Sequence, residues 1–158
     1  MKYLLIIFIL IFNACSIKNY KLNESKIFII KSPQLKFSDL GYLRSSDDSV
    51  ELELFIAGKP IQKIEINHLI CVNEGCMSKS SFNEEYLCES YPDDLLQNIL
   101  LGRAIYNSKN MNKKKNSFTQ TIKNESVDIR YEVSSKMIFF KDKTNNIIIK
   151  IKKVNNEK

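Results

Sequence analysis

Residues 50–56 read Val-Glu-Leu-Glu-Leu-Phe-Ile, with glutamates at the second and fourth positions of an otherwise apolar stretch. Alternation with period two is typical of a strand that turns one face to a core and the other to solvent. The same period returns at Ile64, Ile66 and Ile70. Between the two segments, Ala57-Gly58-Lys59-Pro60 supplies turn-forming residues. The sequence therefore predicts a β-hairpin here.

The second half of the chain repeats this period. Strands are predicted at residues 118–122, 127–133, 137–140 and 147–154, and Lys-Asp-Lys-Thr-Asn-Asn supplies the last turn. Together they form a predicted antiparallel meander. Residues 106–116 contain three successive lysines and are predicted to be a flexible loop.

Helical signals separate the two groups of strands. Ser81 and Glu84 match a capping box, which predicts the start of one helix. Residues 92–101 predict a second helix, because a proline opens the segment and its leucines and isoleucine form one apolar stripe. Gly102 is placed to end that helix. The predicted fold class is α+β, an antiparallel sheet with one or two helices packed on one face.

The N-terminus has the layout of a secretory signal. Lys2 is followed by ten apolar residues, Tyr3 to Phe12, and then by small and polar residues. A membrane-spanning helix needs roughly 20 apolar residues, so this segment is too short to span a bilayer. We therefore expect residues 1–14 to be a signal peptide that is absent from the folded domain.

The residues Ile11-Phe12-Asn13-Ala14-Cys15 resemble the lipobox of bacterial lipoproteins. The resemblance implies cleavage before Cys15 and attachment of acyl chains to that cysteine, which would anchor the protein to a membrane. The alternative is an ordinary signal peptide beside a chance cysteine. Ser16 resembles the residue that accompanies export to the outer membrane. Residues 15–25 are then a lipidated tether, and residues 26–158 are a single domain.

The chain is basic, with a formal net charge of +6, of which the signal peptide contributes only Lys2. This charge could favour anionic lipid, although a composition rich in Lys, Asn and Ile accounts for it equally well. The lysines at residues 113–115 are either a solvated loop or contacts for lipid phosphates, and the acidic residues between 84 and 94 indicate a solvated face. Nucleic acid is not expected as a partner in the periplasm.

The inventory of reactive residues argues against an enzyme. No glycine-rich phosphate loop, zinc-protease pair or nucleophile elbow is present in the sequence. The single histidine, His68, shares the period of the neighbouring isoleucines and is predicted to be packed and hydrogen-bonded. No catalytic residue and no cofactor is predicted.

Three cysteines follow Cys15, and an oxidising compartment favours disulfides between them. Cys71 and Cys76 bracket a credible turn, so a bridge between them is the simplest pairing. A pairing of either with Cys88 is the competing possibility. A zinc site formed by His68 and the three cysteines is a third possibility, although the spacing to Cys88 matches no compact zinc motif. No metal is predicted.

The order of elements is similar to that of the LolA/LolB lipoprotein-carrier family. Gly41-Tyr42-Leu43-Arg44 resembles an early strand of LolB-type domains, and the stretch Asp93 to Gly102 resembles their intervening helix. The stretch Ser117 to Val154 resembles their closing meander, so the likeness covers residues 36 to 154. It implies a curved, incomplete antiparallel barrel with helices that close an apolar cavity.

The resemblance also implies that the protein binds a ligand rather than catalyses a reaction. Acyl chains of a lipid or a lipoprotein would contact an apolar lining formed by Leu52, Leu54, Ile64, Ile66, Ile129 and Tyr131. The alternative is that these six residues form an ordinary core. A second functional hypothesis is a structural or assembly lipoprotein that serves an outer-membrane complex as an accessory subunit and contacts other envelope proteins.

Overall fold

The computed structural model describes residues 20–73 and 75–154, and most of this part of the chain forms one antiparallel sheet of eleven strands. The strands before the helices are β1 (Leu22–Lys31), β2 (Lys36–Ser45), β3 (Val50–Ile56), β4 (Lys59–Ile66), β5 (Ile70–Val72) and β6 (Gly75–Met77). The strands after the helices are β7 (Met111–Lys114), β8 (Ser117–Lys123), β9 (Asp128–Ser134), β10 (Met137–Asp142) and β11 (Ile147–Lys153). The helices are α1 (Lys79–Tyr86) and α2 (Leu95–Leu101).

The strand order is β6-β5-β4-β3-β2-β1-β11-β10-β9-β8-β7, and every neighbouring pair except β1 with β11 is also consecutive in sequence. β1 and β11 therefore join the two halves at the centre, while β6 and β7 form the two edges. Because the edges do not pair with each other, the sheet is open and compatible with an incomplete barrel. The fold is mainly β rather than the predicted α+β, since the helices span only 8 and 7 residues.

The predicted hairpin is formed by β3 and β4, with Leu52 opposite Ile64 and Val50 opposite Ile66. Its turn is shorter than predicted, because Lys59 already belongs to β4. The two turn residues have φ angles of 49° at Ala57 and 78° at Gly58. Two consecutive left-handed residues match the twist of the flanking strands and permit a tight connection.

One face of the sheet packs against the helices and is called the inner face; the opposite face is called the outer face. Leu43, Leu52 and Ile64 lie side by side on the inner faces of β2, β3 and β4. They are at most 4% exposed and share one core with Leu95 and Ile99 of α2. The core therefore fills the space between the inner face and the helices.

Helix α2 has the predicted apolar stripe and end, but it begins at Leu95 rather than at Pro92, with Asp94 as its N-cap. The apolar stripe is buried along its whole length and consists of Leu95, Leu96, Ile99 and Leu100. Gly102 ends the helix with a φ angle of 65° and donates its backbone N–H to Ile99. A left-handed C-terminal residue of this kind favours glycine, so the predicted end of the helix is confirmed.

Helix α1 begins earlier than predicted. Ser78 is its N-cap, with its hydroxyl accepting a hydrogen bond from the backbone N–H of Ser81 at 3.0 Å. Ser81 itself lies inside the helix, so the predicted capping box was wrong by one turn. The buried Asn83 donates its amide to the carbonyl oxygens of Tyr91 (3.1 Å) and Pro92 (3.3 Å). These bonds tie α1 to the segment that leads into α2.

Two segments differ from the sequence prediction. Residues 22–25, assigned to the tether, are the first residues of β1 and pair with Ser45 to Tyr42 of β2. The predicted loop at residues 106–116 contains a short 3-10 turn (Tyr106–Ser108) and edge strand β7, which pairs with β8. All four side chains of β7 are exposed, so no apolar alternation was present to indicate a strand.

Candidate functional site

An apolar cavity of about 30 Å³ lies between the inner face and the helices. Its sheet side is formed by Ile30, Leu52, Ile64 and Ile149, and its helix side by Phe82, Tyr86, Leu96 and Leu100. The half-buried Leu35 and Leu87 and the buried Ser32 complete the lining. The lining is therefore almost entirely aliphatic and aromatic, which suits an apolar ligand and offers few groups for chemistry.

The six residues predicted to bind lipid, Leu52, Leu54, Ile64, Ile66, Ile129 and Tyr131, all point into the core and are at most 4% exposed. Only Leu52 and Ile64 line the cavity. Leu54, Ile66 and Ile129 are packed against other core side chains. The Tyr131 hydroxyl donates to the carbonyl oxygen of Arg103 at 2.9 Å, and burial raises its pKa. The structure thus places the predicted set in one core but brings only two of its members to the cavity.

The size of the cavity limits what it holds in this conformation. A volume of about 30 Å³ accommodates roughly one or two water molecules. An acyl chain needs several times more space, so its entry requires the helices and the inner face to move apart. Three of the lining residues are half-buried: Tyr86 and Leu87 at the end of α1, and Leu35 between β1 and β2. The cavity is nearest to solvent at these two places.

The contribution of α1 to the cavity was missed by sequence reasoning, whereas the apolar stripe of α2 was predicted. Phe82 and Tyr86 are four residues apart, the spacing at which side chains share one face of a helix. Their rings stack with centroids 4.7 Å apart. That spacing was the available signal, and it was obscured by the acidic residues that surround the pair in the sequence.

The predicted disulfide joins Cys71 and Cys76, which are paired residues of β5 and β6. Cys88 is free and half-buried, with its sulfur 3.1 Å from the Ser90 hydroxyl. The disulfide removes two thiolates that the alternative zinc site needed. Across residues 20–73 and 75–154, no group of three or more potential ligands converges on a metal site.

His68 does not have the predicted packed environment. It lies in the turn between β4 and β5 and is exposed. In this turn, the backbone N–H of Asn67 donates to the carbonyl oxygen of Leu69, which breaks the alternation of the preceding strand. Ile64, Ile66 and Ile70 are therefore buried, whereas His68, at the same spacing, is exposed.

Asp142 is a buried carboxylate with a structural role. It accepts hydrogen bonds from the Tyr91 hydroxyl at 2.7 Å, from the Asn145 amide at 2.8 Å and from the backbone N–H groups of Asp128 and Thr144. Burial opposes its ionisation, but these hydrogen bonds outweigh burial and lower its pKa. Burial and the nearby Asp142 raise the pKa of Tyr106 to about 12. Neither group is poised to accept a proton from a ligand at neutral pH.

A second buried carboxylate lies on the outer face. Glu51 is only 4% exposed and contacts Arg44 at 2.5 Å, Lys63 at 2.9 Å and the Tyr20 hydroxyl at 3.2 Å. Glu53 shares the Arg44 guanidinium at 3.3 Å. The alternation of residues 50–56 correctly predicts that Glu51 leaves the core, but its side chain is covered by Arg44, Lys63 and Tyr20 rather than by solvent.

No family model matches the chain, and no curated protein sequence or solved structure shows significant similarity to it. The resemblance to the lipobox and to the LolA/LolB family therefore stays a prediction from the sequence. Cys15 and the predicted signal peptide lie outside the described residues. Within the described part of the chain, no helix has the length and apolar character needed to cross a membrane.

Proposed function

We propose that the protein is a lipoprotein of the cell envelope, anchored through acyl chains on Cys15, and that its sheet binds an acyl chain beneath α1. The observation that carries this proposal is the apolar cavity between α1 and the inner face. The ligand would be a lipid or the acyl chain of another lipoprotein. The anchor places the domain at a membrane, most simply the periplasmic side of the outer membrane.

Burial of an acyl chain supplies the driving force for binding. Each CH₂ group removed from water contributes roughly 0.8 kcal/mol. Displacement of α1 opposes this gain, because it breaks the two hydrogen bonds of Asn83 and exposes Phe82. A chain that contacts Leu52 and Ile64 would replace the apolar contacts that Phe82 loses. A long chain therefore offsets the cost of moving α1, whereas a short one does not.

A fluorescent acyl probe tests this proposal in the chain from Cys15 onward that carries Cys15→Ser. The expected result is saturable binding that strengthens with acyl-chain length. Leu87→Trp should weaken binding about tenfold, or about 1.4 kcal/mol, because the larger side chain fills the cavity from its rim. Since Leu87 is half-buried, the thermal unfolding midpoint should change little.

Leu69→Trp is the matched control. Leu69 lies in an exposed turn and does not line the cavity, so this variant should bind the probe like the unmodified chain. Absence of saturable binding, or equal weakening by both tryptophans, would refute the acyl-binding proposal. The accessory-subunit hypothesis would then be the remaining explanation for an anchored domain of this kind.

A further inference from the structure

Apolar side chains form a row on the outer face, on the side that does not touch the helices. They are Leu40 and Tyr42 of β2, Phe55 of β3 and Ile61 of β4, and we call them the outer apolar row. Leu40, Tyr42 and Ile61 are 38%, 40% and 45% exposed, while the half-buried Phe55 ring contacts Tyr42 edge-on with centroids 5.3 Å apart. Contiguous exposed apolar side chains of this kind mark an interaction surface.

The charges around this row are mixed. Lys36 lies on the outer face of β2, Lys59 lies two residues from Ile61 in β4, and both are exposed. Asp39 lines the same surface pocket as the β2 and β3 members of the row. The nearby carboxylates of Glu51 and Glu53 are paired with Arg44 and Lys63. Exposed apolar side chains that include a tyrosine, with two lysines nearby, have the chemistry of a surface that lies in the headgroup region of a bilayer.

The chain reaches the sheet on this same face. The Tyr20 hydroxyl donates to Glu51 on the outer face, and Cys15 precedes Tyr20 by five residues. Five residues span at most about 18 Å. Phe55 lies four residues along β3 from Glu51, which is about 13 Å. The outer apolar row therefore lies within reach of an acyl group on Cys15.

We infer that the domain lies with its outer face on the bilayer that holds Cys15, with the outer apolar row in the headgroup region. This inference rests on the proposed lipid anchor. In this orientation α1 and the cavity rim point away from the membrane. In the competing orientation, the turn that contains Leu69 faces the bilayer. This turn lies at the end of the sheet where the chain enters β1.

Single tryptophans separate the two orientations, because the chain contains no tryptophan. Ile61→Trp reports on the outer apolar row, Leu69→Trp on the turn, and Met111→Trp on the distant edge strand. Ile61 and Leu69 are equally exposed at 45%, so they form a matched pair. Each lipidated full-length variant is reconstituted into vesicles of phosphatidylethanolamine and phosphatidylglycerol that contain brominated phosphatidylcholine, which quenches tryptophan fluorescence.

The expected result is a several-fold larger loss of emission for Ile61→Trp than for Leu69→Trp or Met111→Trp. Stronger quenching of Leu69→Trp would overturn the inference in favour of the upright orientation. Sedimentation with the vesicles, measured in the same samples, separates the two proposals. If the variants sediment but Ile61→Trp is not quenched, the outer face does not dock and the anchor stands. If the variants do not sediment with the vesicles, both the proposed anchor and the inferred orientation are refuted.

Discussion

Glu51 shows how a residue on the predicted solvent side of a strand becomes buried. Burial alone would raise the pKa of this carboxyl, but hydrogen bonds from Lys63, Arg44 and Tyr20 outweigh burial and hold the pKa below its ordinary value of 4.5. Stabilisation from a lowered pKa is present above the unfolded value and is lost as the pH falls through the folded value. Glu51 therefore stabilises the fold at neutral pH and ceases to do so in acid.

Glu51→Gln should lower the free energy of unfolding at neutral pH by about 1–3 kcal/mol, because Arg44 and Lys63 lose their charged partner. As the pH falls below about 4.5, the stability of the variant should also decrease less than that of the unmodified protein. Chemical denaturation across this pH range measures both effects.

Glu53→Gln is the control for the Glu51 variant, on the same strand and the same face. Glu53 is half-buried and contacts Arg44 at 3.3 Å, so its replacement should cost less than about 1 kcal/mol. Equal losses for the two variants, or an unchanged acid decline in Glu51→Gln, would contradict the role assigned to the buried carboxylate.

Alternation in sequence identifies which residues enter the core but not what covers the others. It placed Leu52 and Ile64 correctly on the inner face and Glu51 on the outer face. It could not show that Tyr20, from outside the predicted domain, covers Glu51. His68 was misassigned for a related reason. It stands at an even spacing from the isoleucines, but it lies in a three-residue turn rather than in a strand. Its side chain therefore does not follow their alternation.

At the scale of elements, the C-terminus of α2 depends on a left-handed residue. A Cβ at residue 102 would lie 3.2 Å from the Ile138 side chain, in addition to the strain of a positive φ angle. Gly102→Ala should therefore lower the free energy of unfolding by about 1 kcal/mol or more. Gly75→Ala is the control, because its added Cβ has no neighbour within 4 Å, and thermal or chemical denaturation should show it to be nearly neutral.

The hairpin of β5 and β6 depends on its disulfide, because each strand has only three residues. Non-reducing peptide mapping should recover Cys71 linked to Cys76 and Cys88 as a free thiol. Replacing both bonded cysteines with serine should cost about 2 kcal/mol, the value expected from closing a short loop. Recovery of Cys88 in a disulfide, or no loss of stability in the double variant, would contradict this assignment.

Strands with a clear apolar alternation were predicted from the sequence, whereas β1, β6 and β7 were not. The segments that became β3, β4, β8, β9, β10 and β11 carry apolar residues at alternate or continuous positions. Strand β7 contains only Met111 among polar and basic residues and is held at the edge by backbone pairing with β8. Helix α1 was shifted for a similar reason, since Ser78 and Ser81 are both acceptable caps from sequence alone.

At the scale of the whole molecule, the pairing of β1 with β11 could not be predicted from local patterns. The remaining pairs join strands that follow one another in sequence, whereas this pair joins Lys26 to Lys153 and Lys31 to Ile148. The cavity depends on this pairing, because Ile30 of β1 and Ile149 of β11 are opposite each other and both contribute to its lining.

The lipid anchor is tested with the whole chain in its native host. Cys15→Ser should release the protein from the membrane fraction and leave the signal peptide uncut by the lipoprotein peptidase, because the acylated cysteine is absent. Membrane fractionation and mass spectrometry of the N-terminus measure the two effects. Unchanged fractionation together with normal processing would refute the proposed lipid anchor.

The central position of β1 has a mechanical consequence for a domain tethered through its N-terminus. A pull on Tyr20 acts along β1, which is held by ten residue pairs with β2 and six with β11. Because ladder hydrogen bonds run perpendicular to the strands, such a force loads both ladders in shear and all bonds share it. An edge strand such as β6 is held by only one ladder, of three residue pairs. The proposed tether would therefore lead into a strand that two ladders hold against extraction by force.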